Sequence, residues 1–260
     1  MSYQETDQRL HQLAQVLAKF NRTYVPFKED DSHTNIGYGP INRRLFSRWT
    51  QQTNMRHILS LELNPLSFVL LDESYRRELE VVCLGKTLPQ IEAELQHALS
   101  EIGFKTKGLL DSMHYEIPEY DSKEVPFANL ALDDFENWTD IRALASYACH
   151  QVQAHFQVRE EVRIWPHHFD TGIYVHLNNE ISIGFGLAMR DELVDAAYFY
   201  YTAFFNGSTH WPEDRPMTVS PGRIIETPEW CGAVLEAPGL NLNLLRDFMR
   251  EASNYYLGFL

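Results

Sequence analysis

Between Thr171 and Leu187 the apolar side chains fall on every second position: Thr171, Ile173 and Val175, then Ile181, Ile183, Phe185 and Leu187. Alternation of this kind belongs to strands that bury one face, because successive strand side chains point to opposite sides. The interruption between the two runs reads as a tight turn, so the segment is an antiparallel hairpin. A two-residue loop at Asn178-Asn179 would pair Val175 with Ser182 and mix small and apolar residues on both faces. A three-residue loop, Leu177 to Asn179, pairs Val175 with Ile181 and Ile173 with Ile183 and leaves one face uniformly apolar. Register follows the buried face, which favours the second arrangement. The fold must therefore contain a sheet with one covered side.

The opposite face is unusual. If the strand begins at the Trp165-Pro166-His167-His168-Phe169-Asp170 block, His168, Asp170, Gly172, Tyr174 and His176 share a side with Ser182, Gly184, Gly186 and Ala188. Trp165, preceding a proline, is pushed toward an extended conformation. Glycines inside strands weaken them and mark places where another group approaches closely. The expectation is a polar face over a floor of Gly172, Gly184 and Gly186.

Three uses of that face compete. His168 and Asp170 could ligate a divalent metal such as zinc, manganese or iron, with Asp191, Glu192, His210 or Glu226 completing the set. In a hydrolase of this type Glu192 or Glu226 would act as general base, beside an open position for water. The same residues could instead bind a small organic molecule, walled by Trp165, Tyr174 and Trp230. In the third use they are structural, and the glycines admit a helix spanning 135–156.

The rest of the chain supplies helices on both sides of short strands. Thr6 reads as an N-cap, followed by Leu10, Leu13, Val16, Leu17 and Phe20 at helical spacing. Residues 21–40 form an irregular loop in which Asp30, Asp31 and His33 could reach a site. Strand-like runs follow at Arg56–Leu63, Leu66–Leu71 and Glu78–Leu84, punctuated by Asn64-Pro65 and by Asp72 to Tyr75. Thr87 and Gln90 make a capping box for a helix bearing Leu88, Ile91, Leu95, Leu99 and Ile102. Residues 1–110 thus read as a first unit, 111–134 as a connection and 135–260 as a second unit. The second unit holds the hairpin, an aromatic strand over 197–205, a proline-rich excursion over 211–221 and a strand over 230–236. A last helix carries Leu244, Leu245, Phe248, Ala252 and Tyr255. The fold class is α+β, antiparallel sheets with flanking helices, laid out as two similar strand-strand-strand-helix units.

Charge and cysteine usage narrow the partners. Among 260 residues the formal net charge is -14, which repels phosphate backbones and anionic lipid on average. Neither a nucleic acid nor a membrane is expected as partner. No apolar run approaches a membrane span, and the polar N-terminus does not resemble a secretory signal. Cys83, Cys149 and Cys231 are far apart without a paired spacing, as expected of packed thiols in a reducing, cytoplasmic setting. Gly184-Phe185-Gly186 lacks the third glycine of a dinucleotide fingerprint, and no phosphate loop or nucleophile elbow is present.

Taken with His33 and Asn35, Gly85-Lys86-Thr87-Leu88, Gly184 to Leu187 leading to Asp191, and Trp230 with Gly232-Ala233-Val234-Leu235, the Trp-Pro-His-His-Phe-Asp block resembles a group of bacterial proteins related to the domain-of-unknown-function class DUF5996. The resemblance spans most of the chain, and that one block is its specific part. It implies a shared fold and site rather than a reaction. Where that group has a Ser-Pro-Gly-Asp turn this chain has Ala188-Met189-Arg190-Asp191, and where it has a Trp-His pair this chain has Ile225-Glu226. Sequence alone leads to a small-ligand-binding or structural protein centred on the 168–188 hairpin, with a metal-dependent hydrolase as the alternative.

Overall fold

The structure is a computed structural model that describes residues 2–52, 54–120, 124–210 and 218–257. The described residues form an α+β fold with two antiparallel six-stranded sheets. They divide into two compact units, one of residues 1–140 with 164–169, the other of 141–163 with 170–260.

In the first unit helix α1 (Tyr3–Tyr24) opens on Ser2, whose hydroxyl accepts from Glu5 N while the Glu5 carboxylate takes the Ser2 N–H. The capping box therefore lies at Ser2 rather than Thr6, which is buried within the first turns. Leu10, Leu13, Ala14, Leu17, Ala18 and Phe20 are buried, and so are the polar His11, Gln12 and Gln15. A helix buried on its polar side must find partners there.

Strands β1 (Gly37–Gly39), β2 (Arg44–Phe46), β3 (Thr50–Gln51), β4 (Arg56–Leu63), β5 (Leu66–Asp72) and β6 (Arg77–Val82) form its sheet, in the order β1-β2-β4-β5-β6 with β3 also on β4. Ile58, Val69 and Leu71 form a small core on one side, capped by Phe46 and Trp49. Helix α2 (Leu88–Glu101) follows with the Thr87–Gln90 capping box as read, burying Ile91, Leu95 and Leu99. Ile102 lies past its end and is partly exposed.

Helix α3 (Leu132–Phe156) starts three residues earlier than its hydrophobic pattern shows, with Asp133 and Asp134 in its first turn, where acidic side chains favour the helix dipole. The second sheet runs β11 (Arg223–Glu226), β12 (Cys231–Glu236), β10 (Tyr198–Phe205), β9 (Ile181–Ala188), β8 (Asp170–His176) and β7 (Arg163–Trp165). Its apolar side carries Ile173, Val175, Ile183, Phe185, Leu187, Phe199 and Tyr201, all buried. Helix α4 (Leu242–Leu257) packs on it, with the Tyr201 hydroxyl 3.0 Å from Ser253 Oγ and the Tyr201 and Tyr256 rings stacked. Tyr256, not Tyr255, is the buried tyrosine, and Leu244 is largely exposed. The proline-rich excursion lies outside the described residues over 211–217.

Two corrections concern the hairpin. Pairing is Val175 with Ile183 and Ile173 with Phe185, two residues from the expected register, so parity and the apolar face survive while the partners change. The loop is Asn178-Asn179-Glu180, because the Asn178 carboxamide accepts from the N–H groups of Glu180 and Ile181 and fixes the turn one residue later. The second correction is that β8 begins at Asp170. Residues 166–169 are a turn closed by Phe169 N donating to Trp165 O at 2.7 Å, with Phe169 at φ 57°. Strand alternation does not run through His168, so the premise that placed His168 and Asp170 on one strand face fails.

Candidate functional site

The glycine floor is covered by the protein itself. Tyr200, opposite Gly186 on β10, lies across the hairpin and donates its hydroxyl to Asp170 Oδ2 at 2.7 Å. A methyl group added at Gly172 or at Gly186 would meet the Tyr200 oxygen at 2.8 Å in each case. Gly184 faces Thr202 and Phe204, and Gly232 lies under the Trp230 ring. The glycines thus make room for aromatic side chains of neighbouring strands, not for a ligand or for α3. Helix α3 packs on the opposite side, where Arg142 Nη1 donates to Thr171 Oγ1 at 2.8 Å. Burial and the Asp170 charge raise the Tyr200 hydroxyl well above the usual tyrosine range, so it stays a donor.

The other expected residues of the second unit are dispersed or engaged. Asp191 Oδ1 accepts from the N–H groups of Leu193 and Val194, and its Oδ2 accepts from Tyr198 at 2.7 Å. Glu192 is exposed, as is Glu226 at the end of β11. Tyr174 makes edge contacts with His176 and Phe204, and His210 Nε2 meets Thr227 O. Among the described residues no group of three or more His, Cys, Asp or Glu side chains is arranged to hold a metal ion.

The specific block itself sits in the first unit, at the turn after Trp165. Its inner side is fastened to α1. His11 Nε2 lies 2.9 Å from Pro166 O and Gln15 Nε2 donates to the same oxygen at 2.7 Å. A carbonyl can only accept, so Nε2 carries the imidazole proton and Nδ1 accepts from Tyr120 Oη, 2.7 Å away. The Phe169 ring stacks on His11 at 5.1 Å and on Trp138 at 6.1 Å. Trp138 in turn donates to Asp7 Oδ1 at 2.8 Å. These contacts explain why α1 buries His11 and Gln15. They also hold Phe169 in a left-handed conformation that costs a bulky residue about 1–2 kcal/mol.

The outer side of the turn presents His167, half-buried, and His168, exposed, with ring centroids 4.3 Å apart. A second loop meets His167, and a third meets that loop. Tyr115 lies 5.5 Å from His167 between centroids, and His114 stands at right angles to Tyr115. His114 Nε2 is 3.3 Å from Asp31 Oδ2, and Asp31 Oδ1 is 3.6 Å from His33 Nδ1. Burial first, then the neighbouring His168 and His114, lower the His167 pKa to about 4, against a partial opposing pull from Asp31. Each loop is anchored. Asn21 Nδ2 donates to Thr34 O and Asn35 O, and Arg48 donates to Ser32 O. Arg22 donates to the carbonyls of Gly108, Leu109, Asp111 and Ser112, just before His114. Residues 32–36 are consequently buried, not the solvated loop their composition indicates.

Of the residues expected from sequence, Asp31 and His33, noted with Asp30 in the early loop, connect through His114, Tyr115 and His167 to His168 in one run of neighbouring side chains. His114 and Tyr115 carried no signal, since they lie in a connection without periodicity or motif. No protein-family model, curated protein or solved structure matches this chain.

Proposed function

We propose that this is a small-ligand-binding protein whose binding surface is the outer side of the Trp165–Phe169 turn, formed by His167 and His168 with Asp31, His114 and Tyr115, and backed by the buried His33. One observation supports the reading most. The turn is clamped from within by His11, Gln15 and Trp138, while His168 is exposed and His167 rests half-buried on Tyr115, whose hydroxyl donates to Gln15. A rigid support behind projecting polar rings is what a preorganised site requires. Left-handed backbone at Phe169, φ 57°, is strain for a bulky residue, held by the contacts behind the turn.

At neutral pH a His167 with its pKa near 4 is uncharged, able both to donate and to accept a hydrogen bond. Binding without catalysis is favoured over hydrolysis, because Glu192 and Glu226 are exposed, and among the described residues no group of three or more His, Cys, Asp or Glu side chains is arranged to hold a metal ion. The net charge of -14 argues against nucleic acid as the ligand. A cytoplasmic setting accords with three buried free thiols, and no helix among the described residues is long and apolar enough to cross a membrane.

Imidazole-detected NMR with a fragment library tests the site. Ligands should perturb His114, His167 and His168 while leaving His155 and His176 of the second unit unmoved. Hits that shift only second-unit histidines would refute it.

A further inference from the structure

We infer that Asn206 is a site of spontaneous covalent modification, where side chain and backbone close to a cyclic imide that water reopens as aspartate or isoaspartate. The site lies in the second unit and is independent of the ligand site proposed above.

Asparagine followed by glycine occurs at one place in the sequence, Asn206-Gly207. Asparagine is a thermolabile residue, and glycine after it matters because the attacking group is the next backbone nitrogen, which a side chain would crowd. The fold places this pair in the two-residue turn that closes β10. Phe205 N donates to Ser208 O at 2.8 Å and Ser208 N to Phe205 O at 3.0 Å, so the Gly207 N–H stands outside these bonds. Both turn residues are exposed, and a Cβ built on Gly207 would meet nothing within 4 Å. Water reaches the nitrogen that must lose a proton and the carboxamide that must lose ammonia.

Backbone geometry favours closure. Asn206 has φ 49° and Gly207 φ 83°, the positive pair of a type I′ turn. An imide ring constrains ψ of the asparagine and leaves its φ free. A change to type II′ keeps φ positive at Asn206 and carries Gly207 to negative φ, which glycine accepts. The hairpin therefore need not open for the ring to form.

Side-chain engagement separates Asn206 from other exposed asparagines. Asn178 Oδ1 accepts from the N–H groups of Glu180 and Ile181, and Asn241 Oδ1 from those of Asn243 and Leu244. Those bonds hold each carboxamide over residues further along the chain. The Asn206 carboxamide makes no hydrogen bond among the described residues.

In the reaction hydroxide takes the Gly207 amide proton, the nitrogen bonds to Asn206 Cγ, and the bond to Nδ2 breaks with loss of ammonia. Water then opens the ring at Cγ to give aspartate, or at the backbone carbonyl to give isoaspartate. Either product adds a carboxylate beside the loop of Glu180, whose carbonyl accepts from Asn206 N at 2.8 Å. Isoaspartate also lengthens the main chain of the turn by one carbon.

Incubation of the intact protein in mildly alkaline buffer at physiological temperature, followed by peptide mass mapping, tests this. The expected result is that Asn206 is the first asparagine lost, giving two products of equal mass, one of which coelutes with the corresponding peptide of Asn206→Asp. Gly207→Ala should slow the loss about tenfold by crowding the attacking nitrogen. Because alanine is strained at φ 83°, both proteins are also incubated unfolded in urea, where that comparison does not depend on the turn. An unchanged rate for Gly207→Ala in both states would overturn attack by this nitrogen. Loss in urea with Asn206 intact in the folded protein would show that the turn protects it and overturn the inference, as would earlier loss at any other asparagine of the folded protein.

Discussion

Replacing Gly186 by alanine tests the finding that the hairpin face is filled from within. The new methyl carbon would sit 2.8 Å from both Gly172 Cα and Tyr200 Oη and closer still to Thr171 O. Two of these neighbours are backbone and cannot turn aside, so the strain resembles overpacking of a core, about 1–3 kcal/mol. Tyr200 can yield only by leaving Asp170 Oδ2, which sacrifices a hydrogen bond to a charged group, about 1.5–3 kcal/mol. Against this, alanine reduces the entropy of the unfolded chain and returns about 0.4–1 kcal/mol. The net expectation is a loss of about 2–5 kcal/mol, several-fold above an ordinary surface substitution. Gly37→Ala is the control: its added carbon would meet nothing within 4 Å, and stability should hold or rise slightly. Urea unfolding followed by circular dichroism gives both values, with the midpoint moving and the slope unchanged. A Gly186→Ala protein as stable as its parent would mean that the space above the glycines is open, and the ligand pocket expected from the sequence would return.

Other outcomes follow from the same contacts. Tyr200→Phe should cost about 1.5–3 kcal/mol, because it removes one charged hydrogen bond and little volume, and the urea midpoint measures it. His11→Phe keeps the stack on Phe169 but loses the bonds to Pro166 O and Tyr120, and should cost about 1–3 kcal/mol by the same measurement. The folded pKa of His167 lies below its unfolded value of 6.5, so its contribution is whole above that pH and is lost as pH falls toward about 4. With its partial exposure that loss amounts to about 1–2 kcal/mol, and His167→Gln should flatten the stability profile across that window relative to the parent.

How much of this was legible depended on how local each signal was. Strands β4, β5 and β6 and helix α2 carry their punctuation in sequence, at Asn64-Pro65, at Asp72 to Tyr75 and at the Thr87–Gln90 box. The apolar face of the β8–β9 hairpin was equally plain, because alternation survives a register change of two. The partners were not, since a single carboxamide, Asn178, shifts the loop.

The Trp165–Phe169 turn misled for a deeper reason. His168, Phe169 and Asp170 continue the alternation of a strand, and nothing local requires a phenylalanine to adopt positive φ. His11, Gln15 and Trp138 impose it, and they are distant in sequence. The glycine face misled similarly: glycines show where something comes close, and Tyr200 rather than a ligand is what comes. His114 reaches the site only because Arg22 fastens the preceding loop, a contact no spacing foretells.

Preorganisation of the turn, with His167 packed and uncharged on its outer side, underlies the proposed site and is open to one direct measurement. The imidazole titration of His167, followed by NMR in the unliganded protein, should show a midpoint near 4. A midpoint near the solvated value of about 6.5 would show that ring free in water and the clamped site unformed.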